Sequence, residues 1–97
     1  MAINIIWSEK SIDDLESIAT YIEKDSIYYA KSVVSTIFSK VDILLDFPLL
    51  GRVVPEYQDE NIRELFVYSY RLIYKINKNN ISIVTIIHGK RILKSSL

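Results

Sequence analysis

The hydrophobic period of this chain changes from helical to strand-like at Pro48, and that change limits what it can fold into. Ahead of it, Ile12, Leu15, Ile18, Ala19 and Ile22 recur at spacings of three and four. Asp13, Asp14, Glu16, Glu23 and Lys24 lie off that stripe, which predicts an amphipathic helix of about four turns. A second series, Ala30, Val33, Val34, Ile37, Val41, Leu44 and Leu45, follows Ser26, a residue suited to a cap. Pro48 stops it, because the residue before a proline is pushed away from helix. So few residues separate the two helices that they form an antiparallel hairpin, at about residues 9–47. Before them Ile3, Ile5 and Trp7 alternate with Asn4 and Ile6 as a short opening strand. Ser8 or Ser11 can cap the first helix, and Ser11 with Asp14 three residues on fits a capping box.

After the proline the period is two. Ile62 to Val67, Tyr70 to Ile76 and Ile81 to His88, rich in β-branched and aromatic residues, predict a three-stranded meander over about residues 62–88. It turns tightly at Tyr68-Ser69 and again at Asn77-Lys78-Asn79-Asn80. The order is therefore β-α-α-β-β-β, an α+β fold with an antiparallel sheet packed against a two-helix hairpin. Ninety-seven residues make one domain, 1–97, and 49% apolar with 25% charged residues is ordinary globular composition. The aperiodic stretch from Pro48 to Asn61 is long for a connection in so small a domain, and loops of that kind are usually functional or mobile.

Composition removes several chemistries. There is no cysteine, so no disulfide framework or thiolate nucleophile, and His88 is the only histidine, which leaves few zinc sites. The apolar opening is too short for a signal sequence or a membrane span, so the expectation is a soluble cytoplasmic protein without metal or cofactor. No phosphate-binding glycine loop, serine-histidine-acid triad or carboxylate metal cluster is visible. The zero formal net charge divides into −4 over residues 1–50 and +4 over residues 51–97, with every arginine in the second half. Such asymmetry suggests a face for an anionic or acidic surface.

With these turns, Glu64, Phe66, Arg71, Ile73, Lys75, Val84, Ile86 and His88 share one face. The more apolar set, Leu65, Val67, Leu72, Tyr74, Ile76, Ile83, Thr85 and Ile87, meets the helices. Arg71 and His88 then sit near each other on an open face with Glu64 in reach. Arg71, charged in mid-strand, is either a phosphate or carboxylate clamp or the ion-pair partner of Glu64. On an open face its removal should change stability by no more than about 1 kcal/mol. Arg63 is a contact residue or an edge charge that blocks aggregation. His88 is a general acid or base, or a surface residue at a strand end. Arg91 could join Arg71 on one anion, and Glu56 could accept a proton or remain a solvated acid.

Five segments in order, Asp46-Phe47-Pro48, Gly51-Arg52-Val53-Val54-Pro55-Glu56, Ile62-Arg63-Glu64-Leu65, Tyr70-Arg71-Leu72-Ile73-Tyr74 and His88-Gly89-Lys90-Arg91, cover nearly the whole chain. With them the sequence resembles the RelE/ParE superfamily of bacterial toxins from type II toxin-antitoxin (plasmid stabilisation) modules, and is most similar to its ParE branch. The resemblance implies the same α+β fold, no cofactor or metal, and a cognate antitoxin whose acidic segment wraps the toxin in a hetero-oligomer. It implies one of two activities: inhibition of DNA gyrase, as in the ParE branch, or metal-independent cleavage of messenger RNA in the ribosome by 2′-hydroxyl attack, as in the RelE branch. For a nuclease it assigns Glu56 as base and Arg71 as phosphate-stabilising cation, with His88 and Arg91 completing the set. For a binding toxin, Arg52, Arg63, Arg71 and Arg91 are the contact residues. The nucleases' terminal tyrosine has no counterpart in Arg91-Ile92-Leu93-Lys94-Ser95-Ser96-Leu97, and Arg52 replaces their lysine pair. Both departures favour gyrase as target.

Overall fold

Two serines open the two helices. Ser8 Oγ accepts from the Ser11 N–H at 3.0 Å while Ser11 Oγ donates back to the Ser8 carbonyl at 2.7 Å, starting α1 at Glu9–Glu23. Ser26 Oγ accepts from the Tyr29 N–H at 3.0 Å and starts α2 at Ile27–Ile43. The computed structural model describes residues 4–91, so Ile3 of the expected opening strand lies outside the described residues. The strands are β1 (Asn4–Trp7), β2 (Arg52–Val53), β3 (Ile62–Val67), β4 (Tyr70–Ile76) and β5 (Asn80–His88). They form one sheet in the order β1-β5-β4-β3-β2.

The meander and the hairpin stand where the sequence puts them, with two differences. The segment after Pro48 contributes the two-residue edge strand β2, antiparallel to β3. β1 runs parallel to β5, so the sheet is mixed rather than wholly antiparallel. Tight turns force antiparallel pairing only between consecutive strands; the long path from β1 to β5, through two helices and a meander, leaves direction free. One face of the sheet meets the hairpin, where Ile18, Val33, Ile37, Val41 and Leu44 pack against Val67, Leu72, Tyr74, Ile81, Ile83 and Ile86.

The β3–β4 register is as expected, with Phe66 opposite Arg71 and Glu64 opposite Ile73. β5 departs from expectation half-way along. Ile83 pairs with Tyr74, but Thr85 pairs with Ile73, so Val84 is an extra residue, a β-bulge. Beyond it every side chain of β5 changes face: Ile86 and His88 stand beside Leu72 and Tyr70 on the helix side, and Ile87 takes the place opposite Arg71. The expected company of His88 with Arg71 is thereby corrected.

The bulge lies where β1 ends and α1 begins, and α1 holds it. Ser8 donates from its N–H to the Ile83 carbonyl at 3.0 Å and from Oγ to the Val84 carbonyl at 2.8 Å. Asp14 forms no capping box; its Oδ2 accepts from Thr85 Oγ1 at 2.6 Å and from the Ile86 N–H at 3.1 Å, serving the edge of β5 that β1 no longer covers. Burial opposes ionisation of this carboxyl, but the bonds from Thr85, Ile86 and Lys10 outweigh it and hold Asp14 below its ordinary value.

A buried phenol fixes the start of the long segment. Tyr74 Oη donates to the Pro48 carbonyl at 2.7 Å and accepts from the Gly51 N–H at 2.9 Å. A Cβ at Gly51 would stand 2.5 Å from the Glu64 carbonyl oxygen and 2.8 Å from the Tyr74 ring.

Gly51→Ala is therefore expected to cost about 1–3 kcal/mol through overpacking, read as a lower midpoint in thermal melts. Asp14→Ala should cost about 1–2 kcal/mol at neutral pH by orphaning the Thr85 and Ile86 donors. Because the native carboxyl is depressed, its contribution is complete above the ordinary value of 3.8 and is lost as pH falls through the lower native value. Urea midpoints of wild type and variant, measured on descending pH, should accordingly converge below that range.

Candidate functional site

Arg71 leaves β4 on the sheet face turned away from the helices, and that face is not open. Segment 48–61 pairs briefly as β2, Arg52 opposite Glu64 and Val53 opposite Arg63, and then folds across the sheet. Val54, Ile62 and Ile73 form a second apolar cluster there, with Tyr57 and Val84 packed on it. Beneath this cover Arg71 is 5% exposed and Glu64 1%. The sequence, which assigns no partner to the aperiodic segment, predicts an exposed Arg71; the cover corrects that.

A charge removed from water must be paired and hydrogen-bonded. Arg71 Nε donates to Glu64 Oε1 at 2.6 Å, and its two terminal nitrogens donate to the two oxygens of Glu56 at 2.8 Å each. Nη1 also donates to the Arg91 carbonyl at 2.9 Å. The other oxygen of Glu64 accepts from Arg52 Nε at 2.5 Å, and the Arg52 guanidinium lies 5.2 Å from the centre of the Phe66 ring. Glu56, Arg71, Glu64 and Arg52 thus form an alternating row of two cations and two anions. The bidentate bond to Glu56, aided by Glu64, outweighs burial and raises the Arg71 pKa, so the guanidinium stays charged throughout the working pH range.

Of the residues expected in a site, the fold brings together Arg52, Glu56, Arg71 and the backbone of Arg91. Arg63 is spent on backbone, with Nε on the Glu60 carbonyl at 2.8 Å and Nη1 on the Gly51 carbonyl at 2.9 Å. His88 is exposed at the end of β5, its ring 6.0 Å from that of Tyr70 and its Nδ1 accepting from the Lys90 N–H at 3.2 Å. Since successive strand residues face opposite ways, Tyr70 and His88 point away from the Arg71 face. The Glu56–Arg71 bond is missing from the sequence reading. A mid-strand arginine aligned with a mid-strand glutamate was its one signal, but nothing local pointed to a loop acid as the third member. Among the described residues no group of acids, histidine or cysteine could hold a metal ion, and no helix is long and apolar enough to cross a membrane.

Residues 5–93 match the family model of the ParE toxin of type II toxin-antitoxin system, parDE. A relative from Sinorhizobium fredii, "Putative toxin Y4kP", is 33% identical over 87 residues, covering 88% of this chain and 86% of its own. Among solved structures, the chromosomal ParDE toxin-antitoxin system from P. aeruginosa superposes with a TM-score of 0.74 at 20% identity, over 91% of this chain and 97% of that one. The YoeB dimer from Staphylococcus aureus gives 0.63 at 16% identity, over 91% and 98%. The YoeB-YefM complex from the same organism gives 0.58 at 16%, again over 91% and 98%. At these identities the structures share the fold.

The burial of Arg71 reverses the stability expected of its removal. Arg71→Ala leaves Glu64 buried with one partner and should cost about 3 kcal/mol or more rather than 1. At about 4–8 °C per kcal/mol for a domain of this size, that is a fall in melting midpoint of more than about 10 °C. Glu64→Gln added to Arg71→Ala should recover part of the loss, a coupling of at least about 1 kcal/mol in a double-mutant cycle.

Proposed function

The chain belongs to the ParE family of toxins of type II toxin-antitoxin systems, and on that premise we propose that it arrests growth by binding DNA gyrase, cleaves no RNA, and is neutralised by a cognate antitoxin. The observation that carries the non-catalytic part is the state of the residues a nuclease would use. Cleaving RNA without a metal needs a base at the 2′-hydroxyl, a cation at the phosphorane and an acid at the leaving oxygen, all within reach of one phosphodiester. Here the carboxylate of Glu56 is engaged with the guanidinium of Arg71, which is itself shared with Glu64. His88, the one residue suited to be the acid, stands on the opposite face. Proton transfer between such groups would require the row of ion pairs to open. A toxin that works by binding needs no such step.

The surface supports a partner of the kind that the ParDE and YoeB-YefM complexes contain. Phe47, Leu49 and Leu50 are all more than half exposed in the segment that follows α2, and Phe66 is 49% exposed beneath Arg52. In an antitoxin complex the apolar contacts supply most of the affinity, and acids paired with Arg52, Arg63 and Arg91 set rate and register. The buried Arg71 supports this surface from below rather than contacting the partner.

Purified protein should stall gyrase supercoiling in vitro and leave messenger RNA on translating ribosomes intact. His88→Gln should stay fully active, and the double variant Arg52→Ala with Arg91→Ala should lose gyrase inhibition while keeping its melting midpoint within a few degrees, as exposed side chains do. Codon-positioned cuts in primer extension, absent from folded His88→Gln and Glu56→Gln proteins, would replace the gyrase reading with the ribonuclease.

A further inference from the structure

At the end of the molecule where the helical hairpin turns, four tyrosines gather around a cleft that neither the toxin reading nor the ion-pair row uses. Tyr21 comes from the last turn of α1, Tyr29 from the first turn of α2, and Tyr68 and Tyr70 from the β3–β4 turn; Asp25 and His88 complete the wall. The rings stand in two edge-to-face pairs, Tyr29 with Tyr68 at 6.1 Å and Tyr70 with His88 at 6.0 Å. Tyr21 is 68% exposed, Tyr29 49% and Tyr68 51%, so this is a large aromatic surface left in water.

Its assembly is strained. Tyr68 has φ +54°, the left-handed region where a bulky side chain is a rare outlier and where glycine or asparagine would be at ease. The strain persists because the ring is held at its far end, edge-on to Tyr29 and with its hydroxyl 3.4 Å from Thr36 Oγ1. Backbone strain kept in order to present an exposed ring points to a contact that the ring makes.

The charges around the cleft select the ligand. Asp25 is the only acid in its wall, and no lysine or arginine lines it. Helix α1 and the turn after it, residues 9–26, carry six acids against two lysines. A nucleotide or an acidic peptide would bring its negative charge into this field, whereas aromatic rings beside a carboxylate attract a cation through the ring quadrupole as well as by charge. We propose that the tyrosine cleft formed by Tyr21, Tyr29, Tyr68 and Tyr70 with Asp25 is a receptor for a cationic side chain, an arginine or lysine, presented by a protein partner. Rings that are already placed lose little freedom on binding, so one anchoring side chain suffices to fix the orientation of a longer contact. The site is separate from the Arg52 and Arg71 face, and it stands whether or not gyrase is the target.

The test uses the intact protein with its tyrosine rings labelled with carbon-13 and n-butylguanidinium as the probe, against n-butylurea, its neutral isostere, at matched ionic strength. Saturable shifts of the Tyr21, Tyr29, Tyr68 and Tyr70 ring signals are expected with the guanidinium and not with the urea. Tyr21→Ser and Asp25→Asn should each weaken binding at least threefold. Tyr68→Asn, which removes the ring while relaxing the backbone, should do the same without lowering the melting midpoint. Equal shifts from butylurea, saturable shifts from a nucleoside monophosphate in place of the guanidinium, or no saturable shift at all would each overturn the assignment.

Discussion

A guanidinium withdrawn from water has to be neutralised where it stands, and the two carboxylates that do this for Arg71 come from different parts of the chain. Glu64 arrives along β3 by sheet register, and Glu56 by the fold of the segment above. Every other feature of that face follows from satisfying this charge. The segment must lie down for Glu56 to reach it, and lying down brings Val54 and Tyr57 onto Ile62 and Ile73. Tyr74 holds the segment at one end and the arginine holds it at the other. Because such a row exchanges hydration for pairing at close to equal cost, its role is to specify where the segment goes more than to add stability.

What could be read from the sequence was what neighbouring residues decide. The helix stripes, the serine at each helix start and both turns of the meander depend on spacings of a few residues, and they stand as expected. The register of β5 was lost at Val84, because the forces that hold the bulge come from Ser8 and Asp14, more than seventy residues away in sequence. A single slip in a strand turns all later side chains over, and that moved His88 from one candidate site to another. The cover on the second face was illegible for a related reason: aperiodic segments announce that they are not helices or strands, but not what they lie upon. Arg71 in mid-strand was the sign that something had to lie there.

The division of charge between the two halves takes on a spatial meaning once the ion pairs are placed. Glu56 and Glu64 are consumed by Arg71 and Arg52, so the basic residues left at the sheet end meet solvent with few acids near them. The helical end keeps its acids and adds the tyrosines. A partner that wraps this molecule therefore meets surfaces of opposite character, and a chain that is acidic throughout would suit only one of them.

The parallel pairing of β1 with β5 has a consequence in time. β1 bonds residues 4–7 to residues 80–83, so the contact that finishes the sheet spans almost the whole described chain. The hairpin, made long before, has Ile81, Ile83 and Ile86 as its principal cover, and these belong to the last strand to be synthesised. Contacts so distant in sequence form slowly, and a nascent chain lacking β5 has neither a closed core nor the row of ion pairs, which closes on the carbonyl of Arg91. Maturation of the fold is thus a single late event, leaving no long-lived fragment of the chain with the finished surface.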